Sequence, residues 1–189
     1  VVGAIYSGVA AVITAMAAFR WVYHLEEYIK PIHFINLGYL LLAIDLTYLY
    51  FTFNEYWVAF YGNKVEEMEL LNELFIGTYA PLMWGIKVFC FFLPAFLIAI
   101  PKTRTVKGIV LASILANIGM WIKRYLIIVP VLARPLIPNG WGVYNPTWVE
   151  WSIIAGLFAL FTLLYTLFSK TFPIIPIEEV REIEMGKNT

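Results

Sequence analysis

The apolar run that decides the fold is FINLGYLLLAIDLTYLYFTFNEYW, residues 34–57. A bilayer core about 30 Å thick needs about 20 consecutive apolar residues in a helix, so this run is long enough to cross it. Four other runs have the same character, and they cover residues 1–22, 75–100, 109–131 and 147–168. Because an open strand in lipid would leave its backbone groups unpaired, each run should be a helix. The sequence therefore predicts an all-α, polytopic integral membrane protein with five transmembrane helices.

Composition excludes most other classes of protein. Of the 189 residues, 61% are hydrophobic and only 14% are charged, and the mean hydropathy is +0.78. A soluble domain is about 45–50% apolar and about 25% charged, so soluble nucleic-acid-binding, disordered and disulfide-rich classes are excluded. The single cysteine, Cys90, excludes an intrachain disulfide and a thiolate zinc site. The sequence starts with Val1 and has no basic segment before the first run, so we expect the chain to begin inside a longer polypeptide.

The basic residues predict the orientation of the chain. Most lie in the linkers after spans one and three or in the tail, namely Arg20, Lys30, Lys102, Arg104, Lys107, Lys170, Arg181 and Lys187. The linkers after spans two and four contain only Lys64 and Arg134. Since basic linkers stay on the cytoplasmic side, we expect residues 1–171 to form the transmembrane bundle and residues 172–189 to form a cytoplasmic tail. An aromatic belt at the outer ends agrees with this orientation, and it consists of Trp57, Tyr61, Trp141, Tyr144, Trp148 and Trp151.

Five ionisable residues lie inside the predicted spans: Asp45, Glu55, Lys87, Lys123 and Arg124. Each costs about 2.5–3.5 kcal/mol at the centre of a bilayer, so we expect them to be paired. At a rise of about 1.5 Å per residue, Asp45 and Lys87 fall at similar depths, and Arg124 and Glu55 lie nearer the outer surface. We therefore predict a contact between Asp45 and Lys87, directly or through one water, and an Arg124–Glu55 pair. That pair either lines an outward-opening polar cavity or only holds span four against span two. Lys123 lies about 100° away from Arg124 around the helix and should serve another partner or extend outward.

Span two also carries a polar stripe. Asp45, Tyr48, Thr52 and Glu55 are spaced so that all four lie on one face of a helix. Carboxylates and hydroxyls in a row are what a proton path through lipid requires. Polar groups also hold transmembrane helices together, so the stripe predicts either a proton path or an interhelical contact.

The two histidines raise the question of haem. His24 and His33 are nine residues apart in the same linker, and the sequence has only these two histidines. Two haems with paired histidine ligands would need four, so the chain cannot hold two by itself. A single haem between His24 and His33 remains an alternative to two interfacial histidines bonded to the backbone. We predict that the chain itself binds neither a cofactor nor a metal.

Three stretches carry a family resemblance: residues 117–129 (NIGMWIKRYLIIV), 141–150 (WGVYNPTWVE) and 172–180 (FPIIPIEEV). Residues 3–8 and 54–63 agree with it. The chain resembles the NrfD/polysulfide-reductase membrane-subunit family over nearly its whole length. Within that family it is most similar to the C subunit of alternative complex III.

The resemblance implies ten helices arranged as two four-helix bundles with flanking helices, of which this chain resembles the last five. The chain would then form one four-helix bundle plus one flanking helix. The resemblance also implies a subunit without its own redox centre, which binds quinol as substrate and passes electrons to a docked iron–sulfur subunit. The principal quinol pocket of the family lies largely in the bundle that is absent here. Lys123 stands where the family pattern has an acidic residue, and Asp45 and Lys87 match no family position.

The resemblance therefore implies the membrane subunit of a respiratory quinol-oxidising or quinone-reducing complex in a prokaryotic inner membrane, not catalytic alone, with proton translocation through this bundle. The candidate quinol and proton-path residues are Arg124, Glu55, Asp45, Lys87, Lys123, Tyr48 and Thr52. Its partners would be the lipid bilayer, quinol, an iron–sulfur subunit and other membrane subunits, with iron–sulfur clusters and haem in those subunits. Two alternatives remain: a proton- or ion-coupled transporter that uses Asp45 and Lys87 for coupling, and an inert membrane anchor.

Overall fold

The structure, a computed structural model, describes residues 1–26, 28–132 and 144–172. Its helices are α1 (Val2–Val22), α2 (Pro31–Gly62), α3 (Val65–Phe75), α4 (Ala80–Ile86), α5 (Leu93–Ala99), α6 (Val106–Leu132) and α7 (Trp148–Thr171), and a π-helical segment, Lys87–Phe92, joins α4 to α5. In this part of the chain five helical stretches are long and apolar enough to cross a membrane: α1, α2, the third span Ala80–Ala99, α6 and α7. The predicted all-α fold with five transmembrane helices is confirmed.

Helix α2 is longer than predicted because turn-forming residues delimit it. It begins at Pro31, whose ring fixes φ and whose missing N–H would be unpaired in a first turn anyway. It ends at Gly62, after which Asn63 adopts a left-handed conformation with φ of 45°. The 32 residues span about 48 Å, well beyond a bilayer core of about 30 Å. At least one end of α2 should therefore extend past the hydrocarbon.

The third span starts later than predicted and contains an irregular turn. Phe75 ends α3, and the span itself begins at Ala80, next to Pro81. Further along, Pro94 lies just after the π-helical segment, in which the N–H of Leu93 bonds to the carbonyl of Val88. A proline ring clashes with the carbonyl four residues earlier in an α-helix, and the wider π turn relieves that clash. The turn changes which side chains of the span face inward.

Helix α6 lies at the centre of the first part of the chain. It packs against α1, α2, α3 and every part of the third span. Its packed face combines small residues such as Ala112 and Ala116, which are fully buried, with Gly119, where a Cβ would overlap the Cβ of Cys90. Small residues allow transmembrane helices to approach closely, so α6 and the π-helical segment meet almost backbone to backbone.

The chain divides into two compact units, Val1–Gly142 and Val143–Thr189. Helices α1 to α6 belong to the first unit, and α7 belongs to the second. Before α7, Thr147 donates a hydrogen bond of 2.9 Å to Glu150, and Tyr144 donates another to the same carboxylate. The predicted tail after Phe172 and the outer residue Trp141 lie outside the described residues. The arrangement of four helices plus one flanking helix stays a prediction.

Candidate functional site

A cavity of about 530 Å³ lies among α2, α3, the third span and α6. Most of its wall is apolar or aromatic, with Leu49, Phe53, Met83, Ile86 and Phe91 among the lining residues. Its polar lining residues come from all four elements, and they are Thr52, Tyr56, Asn72, Lys87 and Lys123. A concave, largely apolar space with a few convergent polar groups is the usual form of a small-molecule site.

Lys123 reaches the cavity from the packed face of α6. Its side chain is only 5% exposed, and its Nζ donates a hydrogen bond of 3.2 Å to the hydroxyl of Tyr56. The same Nζ lies 3.8 Å from Oε2 of Glu55, a carboxylate whose side chain is 61% exposed. The buried ammonium therefore has one neutral and one anionic neighbour, and the anionic one faces outward.

The ammonium group of Lys87, unlike that of Lys123, lies mainly against aromatic rings. This half-buried ammonium lies over the rings of Tyr56, Phe75 and Trp84, at 4.7, 4.3 and 5.3 Å from their centroids. In the part of the chain that the structure describes, Lys87 takes no part in the ion pairs Lys64–Glu67 and Lys123–Glu55. Because the faces of aromatic rings attract cations, this ring cage stabilises the ammonium without a carboxylate.

Asp45 lies in a tightly packed region between α1 and α2. The residue is only 1% exposed, and its carboxylate is next to the hydroxyl of Tyr6. No hydrogen bond is completed there, since in the described part of the chain both carboxylate oxygens and that hydroxyl lack a partner. The Tyr6 ring stacks on Tyr48 and Phe91, with centroids 6.0 Å apart in each case. A buried carboxylate without partners is costly when ionised, so Asp45 is a candidate proton-binding residue.

The predicted Asp45–Lys87 contact is wrong. Asp45 faces Tyr6 on α1, whereas Lys87 lies among aromatic rings of α2, α3 and α4. The two residues have similar depths, but the direction in which a side chain leaves its helix is a separate coordinate. The transporter alternative, in which Asp45 and Lys87 form the coupling site, therefore gains no support from a direct contact between the two residues.

The predicted Arg124–Glu55 pair is also wrong. Glu55 pairs with Lys123, the chain neighbour of Arg124. One residue of an α-helix turns about 100°, which brings Lys123 into the packed face of α6 and leaves Arg124 exposed and outside the lining of the cavity. The physical reason is packing, because the small-residue face of α6 determines its rotation.

The polar stripe of α2 is partly confirmed as a shared face. Asp45 is buried, Tyr48 packs against the core, and Thr52 lines the cavity. Glu55, in contrast, lies at the exposed edge of that face. The three inward residues connect the Asp45 region with the cavity along one side of α2.

Sequence reasoning missed three residues of these regions: Tyr6, Tyr56 and Asn72. Tyr56 follows Thr52 by four residues, so the helical spacing that identified the stripe could have included it. Tyr6 and Asn72 gave no such signal, because their roles depend on contacts between elements. In the described residues no group of three or more His, Cys, Asp or Glu is placed to hold a metal ion.

By its fold, the chain is a multi-pass integral membrane protein with a polar-lined cavity among its helices. Residues 1–135 match the family described as Polysulphide reductase, NrfD. The chain belongs to this family, and the resemblance that its motifs indicated is confirmed.

The chain is also similar to a protein of Nitratidesulfovibrio vulgaris (strain Hildenborough), the menaquinone reductase, integral membrane subunit. The two are 28% identical over an alignment of 138 residues, and the alignment covers 70% of this chain and 33% of that protein. The chain therefore spans about a third of the length of this relative.

Proposed function

We propose that this chain is a quinone-interacting membrane subunit of a respiratory redox complex and that its cavity holds a quinone ring, at a site separate from the principal pocket that the family resemblance assigns to the absent bundle. The observation that carries the proposal is the cavity itself, which combines apolar and aromatic walls with the side chains of Tyr56, Asn72, Lys87 and Lys123. Its volume of about 530 Å³ falls in the range of about 300–1,000 Å³ that is typical of small-molecule sites. Membership in the NrfD family and the name of the menaquinone reductase relative support a quinone as the ligand.

The chemistry of the lining suits a quinone ring. A quinone presents a flat apolar ring and two carbonyl oxygens, so its site needs aromatic walls and hydrogen-bond donors. Lys123, Tyr56 and Asn72 carry such donors, and Phe75 and Phe91 offer ring faces. In this role the chain binds and orients the ring, and a partner subunit exchanges electrons with it. We propose an iron–sulfur protein as that partner, with haem in other subunits of the complex.

We further propose that protons move through this bundle. Asp45 is a buried carboxyl group without hydrogen-bond partners among the described residues, and Tyr48 and Thr52 lie between it and the cavity on the same face of α2. An inert anchor has no use for such a group, which is why we favour a proton-conducting role. Arg124, exposed on α6, would act at the surface of the unit, near the region where protons leave.

The remaining assignments concern the cellular setting. We propose a prokaryotic inner membrane, with the tail that follows residue 171 on the cytoplasmic side and α3 near the outer face. On this orientation the cavity opens toward the outer half of the bilayer. We also propose alternative complex III as the parent complex. Purification of the native complex and identification of its subunits by mass spectrometry would test that assignment.

Photolabelling of the purified native complex tests the quinone site. A photoreactive quinone should label peptides of α2, α3 and the third span, and an excess of unlabelled quinone should prevent it. Thr52→Trp fills the cavity and should abolish this labelling. The matched control is Thr47→Trp, because Thr47 lies on the same helix, is exposed, and bonds only to the carbonyl of Ala43. Labelling confined to other parts of the complex would contradict the proposal.

A further inference from the structure

We propose that the cavity selects an anionic form of the quinone ring, such as an ionised hydroxyquinone or a deprotonated quinol, over a neutral quinone. Lys87 would be the residue responsible for this preference. The inference rests on the proposed quinone site and adds to it the charge of the preferred ligand.

The first argument is the balance of charge around the cavity. The ionisable lining residues in the described chain that can carry charge near neutral pH are Lys87 and Lys123. Glu55 offsets Lys123 only in part, because it lies 3.8 Å away and its side chain is 61% exposed to the surroundings. Among the described residues, Lys87 is balanced by ring faces, which bear no net charge. The described wall therefore carries an excess of positive charge.

The second argument is the hydrogen-bonding capacity that remains. A lysine ammonium has three donors, and in the described residues no hydrogen bond of Lys87 to a protein acceptor is formed. The hydroxyl of Tyr56 donates to Sδ of Met83 at 3.9 Å, a weak acceptor that a ligand oxygen could replace. Tyr56 contacts both lysines, through its ring with Lys87 and through its oxygen with Lys123. One negatively charged oxygen near Tyr56 could thus receive a bond from the ammonium and from the phenol.

The third argument is the low polarity of the walls. Leu49, Phe53, Ile86 and Phe91 surround the polar groups, and charges attract more strongly in an apolar medium than in water. A neutral quinone would leave the Lys87 ammonium with ring contacts alone. An anionic ring supplies the missing counter-charge and spreads it over a flat surface that fits between aromatic side chains. The anionic ligand should therefore bind more tightly than a neutral ligand of the same shape.

A matched pair of ligands tests the inference on the purified native complex. One is an alkylated hydroxynaphthoquinone, whose acidic hydroxyl is ionised at neutral pH, and the other is the same alkylated naphthoquinone without that hydroxyl. We expect the wild-type complex to bind the ionised compound more tightly. Lys87→Gln should weaken binding of the ionised compound by about tenfold or more, the value of one charge-assisted hydrogen bond. It should change binding of the neutral compound by less than about threefold, and Lys87→Arg should retain the preference.

The control variant is Lys64→Gln, since Lys64 is an exposed lysine in an ion pair on the surface. It should leave both affinities unchanged. Equal affinity of the two compounds for the wild-type complex would overturn the inference without any variant, so the test does not depend on the folding of Lys87→Gln. A preference that persists in Lys87→Gln would also overturn it. In both cases the proposed quinone site would still stand if the neutral compound binds the wild-type complex and Thr52→Trp blocks that binding. If neither compound shows binding that Thr52→Trp blocks, the quinone site itself is contradicted.

Discussion

The regions around Lys87 and Asp45 each place an ionisable side chain inside a transmembrane helix, but the surroundings affect the two side chains differently. Lys87 and Asp45 are both buried or half-buried inside transmembrane helices, and aromatic residues surround both. The faces of aromatic rings are negative, so they attract a cation and give no such help to a carboxylate. The ring cage of Lys87 therefore stabilises the ammonium form beside an open cavity. Asp45, packed between Tyr6 and the core, has no such favourable contact with the rings around it, so its ionised form is costly.

The proposed quinone site and the proposed proton-binding residue Asp45 are therefore separate regions along one helix. The cavity has volume and donors but no carboxylate among its described lining residues, whereas the Asp45 region has a carboxyl group but is closely packed. The polar face of α2 joins them over the two helical turns from Asp45 to Thr52. Substitutions in the shared packing should affect both regions, and substitutions within one region should affect that region alone.

The largest effect is expected at Gly119, because α6 supports both regions. A Cβ at this position would overlap the Cβ of Cys90, so Gly119→Val must push α6 away from the π-helical segment. Overpacking of this kind costs about 1–3 kcal/mol, and we expect the upper end. Thermal unfolding of the purified complex measures the effect. Gly85→Val, where nothing lies within 4 Å of an added Cβ, is the control, and equal destabilisation by both variants would contradict the close packing.

The next effect distinguishes Lys123 from its chain neighbour. Lys123→Met removes the donor to Tyr56 and the ion pair with Glu55, so we expect a loss of about 1–2 kcal/mol in stability and weaker binding of quinone. Arg124→Met should affect quinone binding less, since Arg124 lies outside the cavity. Titration of both variants with quinone measures the difference. A larger loss of affinity in Arg124→Met would restore the original Arg124–Glu55 interpretation.

Features that depend on a single segment of the chain could be predicted from the sequence, whereas most contacts between helices could not. The five spans followed from length and hydropathy, which are properties of a single segment. The charge pairs were wrong because depth gives height in the membrane but not the rotation of each helix. The sequence does predict which face of α6 packs inward. Lys123 follows Gly119 by four residues and Ala116 by seven, so it lies on the small-residue face. The sequence does not predict the ring cage of Lys87, because the cage combines residues of α2, α3 and α4 beside an irregular turn.

A smaller effect on stability is expected at Asp45. If the carboxyl is protonated, Asp45→Asn replaces one neutral group by another of similar size, and stability should change by less than about 1 kcal/mol. Infrared difference spectroscopy should detect a carboxylic-acid band in the wild-type complex that is absent from this variant. Proton movement in reconstituted vesicles should fall while quinone binding persists. An unchanged carboxylic-acid region would show that Asp45 is ionised and would remove the contrast with Lys87.

The smallest effect is expected at Glu55, the exposed partner of the buried ammonium. Its carboxylate is 3.8 Å from Lys123 and 61% exposed, so its attraction to the ammonium is screened, and exposed ion pairs contribute about 0–1 kcal/mol. Glu55→Gln should therefore cost less than about 0.5 kcal/mol, well below the loss in Lys123→Met, because Lys123 keeps its hydrogen bond to Tyr56. Unfolding of both single variants and of the double variant gives the coupling energy directly. A coupling above about 1 kcal/mol would mean that Glu55 neutralises Lys123 effectively, and the positive charge of the cavity would then rest on Lys87 alone.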